Sequence, residues 1–368
     1  MRIGVDVRKI RDGGIGTYIS EVLERLIPAD PENHYTLFFA PEDFSEYNYS
    51  WENVTKKVNR SGKYSLGEHL SFPLQARRER LDLFFFPHYT KSWWMPCPAV
   101  TTVHDLIHLR FPQYLPNPLA KYYARVIIGR ACRSSEVVIT DSEATKRDLL
   151  ELFEIEEKKV KVIYNGVDHQ TYCPLQDEER IGTFKKRYSL FRPFILYVGA
   201  LKPHKNIPSL LKGYSLSPLK GNFDIVIATL SGESRKESDK LAVELHVQDN
   251  VRYLLSLKKE ELTLLYNCAQ FLVFPSFYEG FGLPALEAMA CGCPVIASNR
   301  ASLPEVVGEA GLFFDPEEPE ELAEKMSLLG NDEGLRQELR ERGRTQAQKF
   351  RWKRTAEMTL EVFRTVAT

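Results

Sequence analysis

Short apolar runs alternate with helix-forming stretches along nearly the whole chain. No other feature constrains the fold as much, because strands separated by helices favour parallel sheets. The first series comprises RIGVDV (2–7), YTLFFA (35–40), LDLFFFP (81–87), AVTTVHDL (99–106), EVVITDS (136–142) and KVKVIYNGVD (159–168). Helices are expected near 16–27, over YARVIIGRACRSS, and over SEATKRDLLELF, where Ser142 supplies a cap. A second series follows: FILYVGAL (194–201), FDIVIATL (223–230), VRYLLSL (251–257), FLVFPS (271–276) and CPVIAS (293–298). PEELAEKMSLLG and DEGLRQELRERGRTQAQKF read as helices. At 368 residues the chain suits two domains rather than one core. The pattern predicts two α/β halves, 1–168 and 169–352, with a last helix at about 353–368 crossing back to complete the first.

Charge excludes one class of partner. The net charge of −1 gives no global field that would draw the chain to nucleic acid. Residues 51–150 carry 15 Lys/Arg against 9 Asp/Glu, a local excess of +6. That excess is either a solvated face or a surface for anionic lipid or an anionic acceptor. Met1 runs directly into a strand, and no apolar run approaches the roughly 18 residues a span requires. A cytoplasmic protein is expected, with peripheral contact at the inner membrane face as an added expectation. The cysteines at 97, 132, 173, 268, 291 and 293 hold one close pair, Cys291-Gly-Cys293, with no second pair for a zinc site. They read as small buried residues.

In open parallel sheets, ligands sit beyond the carboxyl ends of the strands. Gly13 to Gly16, His104, Lys205 and Glu279 all fall at such ends. The stretch YEGFGLPALEAMACG (278–292) sets Glu279 and Glu287 either side of a glycine-rich turn. Pro284 suits the first turn of a helix, where its missing N–H is no loss. The N–H groups of Phe281, Gly282 and Leu283 would then form an anion site, apt for phosphate. Carboxylates repel phosphate but accept hydrogen bonds from sugar hydroxyls. A nucleotide sugar, with ribose, diphosphate and sugar in line, meets both demands. The plain alternative is an exposed Glu279 and a Glu287 on a helix face.

The stretch PSFYEGFGLPALEAMACGCPVIAS resembles the Glu-x7-Glu signature of the retaining glycosyltransferases of family 4. GGIGTY (13–18), TVHDL (102–106), VIYNGVD (162–168), VGALKPHKNI (198–207) and ASLPEVVGEAGLFFDP (301–316) fit the family in order. DVRKIRDGGIGTYI and TVHDLIHLRFPQYLP resemble a branch of bacterial mannosyltransferases that build surface polysaccharides. The resemblance implies the GT-B fold: two Rossmann-like α/β domains with parallel sheets facing a central cleft, the first for the acceptor and the second for the donor. It implies that Glu279 holds donor-sugar hydroxyls and Glu287 the ribose. Backbone from Gly280 through Phe281 and Gly282 to Leu283 would meet sugar and phosphate. Lys205 would neutralise the diphosphate. Gly14 would lie near the leaving phosphate, and Gly16 would shape the turn. His104 would lie beside the donor sugar, making it, with Glu279, a candidate catalytic residue.

Two positions depart from the family. Many members have arginine at the positions of Ala200 or His204, so diphosphate charge here falls to Lys205 with Lys202 or His204. Many have glycine where this chain has Leu255, near the base, which leaves base preference open. The resemblance implies a reaction on a single sugar face, the acceptor hydroxyl attacking as the diphosphate leaves. The enzyme then positions and stabilises charge. No Asp-x-Asp motif occurs, so no cofactor and no divalent metal are expected. The favoured donor is GDP-mannose, a UDP-hexose next, with a glycan or lipid-linked acceptor. The rivals are a catalytically idle nucleotide-sugar-binding protein and a sugar-nucleotide epimerase. Tyr89, Lys91, Trp93 and Trp94 form either a sugar platform or loop packing.

Overall fold

A computed structural model of the chain describes residues 1–65, 67–114, 118–230 and 235–367. The Leu115-Pro116 end of the motif quoted above lies outside them. The chain divides into two units, Met1–Gly166 together with the chain from Trp352 onward, and Val167–Arg351.

The first unit holds β1 (Arg2–Asp6), β2 (His34–Phe39), β3 (Val54–Val58), β4 (Leu83–Phe86), β5 (Ala99–Val103), β6 (Val137–Thr140) and β7 (Val160–Val162). They form one sheet in the order β3-β2-β1-β4-β5-β6-β7, every neighbouring pair parallel. A parallel sheet is covered on both faces, which is why β4 is the unbroken apolar run LFFF, all of it buried. Edge strand β3 is different. Its sequence VTKKV is half-buried, and its two lysines are a residue type that suits the edge of a sheet. Those lysines also hide it from a reading based on apolar runs. The helix Glu68–Arg78 escaped for a similar reason, because Pro73 sits inside it.

Beyond β1 the backbone is held by a buried ion network. Arg8 donates to both carboxylate oxygens of Asp6 at 2.8 Å and to Glu68 at 2.9 Å. The helix Gly13–Leu26 follows, starting three residues earlier than predicted. The closing helix Trp352–Ala367 packs on it: the Trp352 and Tyr18 rings lie 6.3 Å apart, and Thr355 donates to the Tyr164 carbonyl at 2.7 Å.

The second unit holds β8 (Phe194–Val198), β9 (Asp224–Thr229), β10 (Val251–Leu255), β11 (Phe271–Phe274), β12 (Val295–Ser298) and β13 (Gly311–Phe314). The order is β10-β9-β8-β11-β12-β13, again parallel throughout. Its core runs through Leu196, Val273 and Ile296, all fully buried. Strand β13 was not assigned from sequence, since three of its four residues are only half-buried. In each sheet the strand order reverses once, between β1 and β4 and between β8 and β11. Those reversals open a crevice at the carboxyl ends where connections leave in opposite directions.

Candidate functional site

Lys205 and Glu279 leave the two strands that flank the second reversal. After β8, Pro203–Lys205 makes a single 3-10 turn. Asn206 then takes the left-handed conformation, φ 55°, which Asn tolerates better than most residues. Its side chain caps the helix Ile207–Leu216 and donates to the Pro316 carbonyl at 2.9 Å. That fixes Lys205, the residue before it. After β11, Phe277 N–H donates to the His204 carbonyl at 2.8 Å and stitches the two exits together.

Lys205 Nζ donates to both carboxylate oxygens of Glu279, at 2.6 and 2.7 Å. Ser276 Oγ donates to the same carboxylate at 2.6 Å. Ser302 Oγ lies 2.9 Å from the Glu279 carbonyl and 2.8 Å from that of Phe281, and so clamps the turn between them. Gly282 closes the turn at φ +109°, and a Cβ there would stand 2.7 Å from Leu303 Cδ2. Only glycine satisfies both conditions. The helix Leu283–Ala290 starts next, with Pro284 in its first turn as expected. Among the described residues, the N–H groups of Gly282 and Leu283 have no hydrogen-bond partner in the chain. The Phe281 side chain is buried, its ring 5.8 Å from that of Phe350. Glu287 accepts from Tyr266 Oη at 2.9 Å. Burial, and then the neighbouring Glu287 carboxylate, raise that phenol well above its usual range, so it stays a donor. The two glutamates are therefore held separately, one by a cation and one by a phenol.

In the first unit Gly14 is exposed at the start of the helix Gly13–Leu26. Gly16 is buried, and a Cβ there would stand 2.2 Å from the Ile10 carbonyl oxygen, so the turn requires glycine. His104 follows β5. Its Nδ1 lies 2.6 Å from Asp141 Oδ2 and its Nε2 lies 2.8 Å from the Pro87 carbonyl. Burial opposes charge on the ring, but the Asp141 carboxylate and the Pro87 carbonyl outweigh it and raise its pKa.

The sugar platform resolves into packing for three of its four residues. Tyr89 and Lys91 are buried. Trp93 stacks on His69 at 4.2 Å and carries the Arg130 guanidinium at 4.6 Å. Trp94 alone is exposed, at 58%.

Residues 183–346 match the family described as Glycosyl transferases group 1, and residues 12–171 match Glycosyltransferase Family 4. Over 372 residues the chain is 33% identical to O-antigen chain mannosyltransferase B of Escherichia coli, covering 95% of this chain and 96% of that protein. The chain belongs to glycosyltransferase family 4. Two solved structures agree in fold with this glycosyltransferase. Sucrose-phosphate synthase from Thermosynechococcus elongatus superposes with a TM-score of 0.83 at 20% identity, covering 100% of this chain and 99% of that one. Anabaena Alr3699/HepE in complex with UDP and glucose gives 0.80 at 21%, covering 99% and 100%. The family 4 chain has the GT-B fold, with two Rossmann-like units built on parallel sheets.

Several partners in this glycosyltransferase were not singled out from sequence. Ser276 stood three residues before Glu279, and Ser302 was the second residue of a motif quoted only as a family match. Tyr266 and Asp141 gave no local signal, because each reaches its partner from a different element.

Proposed function

We propose that this family 4 glycosyltransferase moves a hexose from a nucleoside diphosphate sugar to a glycan or lipid-linked acceptor in polysaccharide synthesis, with retention at the anomeric carbon and without a divalent metal. The observation that carries the reading is the pairing of Lys205 with Glu279 beside the open N–H groups of Gly282 and Leu283. A cation and a helix N-terminus favour a diphosphate, and the carboxylates of Glu279 and Glu287 favour hydroxyls. Glu279 holds the sugar, Glu287 the ribose, and Lys205 the diphosphate. Gly14 and His104 carry the roles the family resemblance gives them, beside the leaving phosphate and the donor sugar. The similarity to a mannosyltransferase favours GDP-mannose, and the UDP and glucose bound by a structural neighbour keep a UDP-hexose second. With the helix terminus and Lys205 meeting the phosphate charge, catalysis is positioning and electrostatic stabilisation.

The acceptor's membrane supplies the second partner. On the helix Pro118–Ser134, Leu119, Tyr122, Tyr123 and Val126 are exposed at one-face spacing, with exposed Lys121 and Arg125 among them. Apolar and basic groups so mixed suit the surface of anionic lipid.

The test is transfer from GDP-mannose and from UDP-hexoses to lipid-linked glycan, with excess EDTA present and the product anomer read by NMR. Retained configuration and survival in EDTA are expected. Inversion, or loss restored by magnesium or manganese, would overturn the corresponding part. Altered donor released without any acceptor would favour the epimerase, and donor bound with neither transfer nor hydrolysis the idle binder.

A further inference from the structure

His104 is held on both sides by groups that only accept. A carboxylate and a peptide carbonyl carry no proton to give, so a ring bonded to both must carry a proton on each nitrogen. The Nδ1 partner is Asp141, at the end of β6, and the Nε2 partner is the Pro87 carbonyl, just past β4. Asp141 is itself fixed: it is nearly buried, and its Oδ2 also accepts from Asn165 Nδ2 at 3.1 Å. One histidine thus ties together the ends of three adjacent strands.

We propose that Asp141 is a positioning residue that keeps His104 as a clamped imidazolium, so that the ring meets the reacting substrate as a fixed positive charge and never as a base. This rests on the reading that His104 lies beside the donor sugar. With both N–H groups taken, the ring, 12% exposed, offers net charge and polarised C–H groups only. Charge there stabilises the negative charge that develops on a leaving diphosphate.

The surroundings agree. The Tyr18 ring, from the helix Gly13–Leu26, lies against the imidazole in a T-shaped arrangement at 4.9 Å and 78°. The Asp105 carboxylate, next along the chain, adds to the pull toward the charged form. His88 lies 6.2 Å away from the β4 side, its Nδ1 without a hydrogen-bond partner among the described residues. Burial first, then Lys9 and His104, push His88 well below the usual range, so it stays neutral beside its charged neighbour.

The experiment is a ring titration by NMR on the full chain, with His104→Gln to assign the signal, repeated in Asp141→Asn and in the charge-keeping Asp141→Glu. Unfolding midpoints check that each variant folds. In the wild type His104 is expected to titrate above 6.5, and in Asp141→Asn lower by about 1–3 pH units; Asp141→Glu should restore much of the difference. The alkaline limb of kcat should move down by the same amount while KM for GDP-mannose stays within about threefold. Equal ring titration in wild type and Asp141→Asn would overturn the proposal, as would a limb that stays fixed while the ring moves. Absence of transfer from any donor would sink the functional reading, while the ring titration would still decide the protonation state.

Discussion

At the scale of single residues, Lys205 and Glu279 form a pair whose members need each other. Lys205 and Glu279 are 18% and 11% exposed, so removing either leaves a largely desolvated charge without its partner. Glu279→Ala is expected to keep the fold and to lower transfer about 10–150-fold, the worth of roughly 1.5–3 kcal/mol for a hydrogen bond to a charged group. Lys205→Ala should cost stability, and the double substitution should cost less than the sum, with a coupling of about 0.5–3 kcal/mol by chemical denaturation. Strict additivity would mean that the pair does not exist in solution. Lys91 makes a second case. Burial pulls its ammonium down to about 8, although Ser134 accepts from it at 2.8 Å. Between that value and 10.5 the unfolded chain holds a proton that the fold does not, so stability rises with pH across the window. Lys91→Met should be more stable than wild type at pH 7, with the gap closing toward pH 10. A constant gap would show that Lys91 titrates normally. The sequence left Lys91 between a sugar platform and loop packing; only the fold shows it buried, with Ser134 as its partner, because burial is set by segments remote in sequence.

At the scale of elements, the turn into the helix Leu283–Ala290 is the most constrained. Gly282→Ala meets a positive φ and a 2.7 Å approach to Leu303 together. It should destabilise the chain by about 1–3 kcal/mol and weaken donor binding by misplacing the Gly282 and Leu283 N–H groups. Thermal unfolding and GDP titration measure the two effects, and an unchanged variant would show that the turn has room the structure denies it. This element was legible in sequence because each part has a local cause: glycine for the turn, Pro284 for the first helical turn, an apolar run for β11. The Ser142 cap was legible for the same reason, and its side chain does accept from Thr145 N–H at 3.0 Å. Strand β3 and the helix Glu68–Arg78 were not, since lysines and a proline break the local patterns while sheet pairing and packing on the core still hold those elements in place. The ties that orient the site, Tyr266 to Glu287 and Asp141 to His104, span 21 and 37 residues and have no local signature.

At the scale of the whole molecule, two parallel sheets were readable because burial on both faces writes strands as unbroken apolar runs. Lys205, Glu279, Gly282 and Glu287 all fall within the unit Val167–Arg351, around one reversal of strand order. That unit therefore carries every donor-binding group proposed here except Gly14 and His104, and in the proposed reading the two glutamates divide the donor between them. Calorimetric titration of the full chain with GDP-mannose and with GDP alone tests this division most directly. Glu287→Ala is expected to lose affinity for both ligands, because both carry the ribose. Glu279→Ala should lose affinity for GDP-mannose and keep or gain affinity for GDP, since Lys205 is then released to the diphosphate. No binding of either ligand by the wild type, or an equal loss for both ligands in Glu279→Ala, would contradict the account.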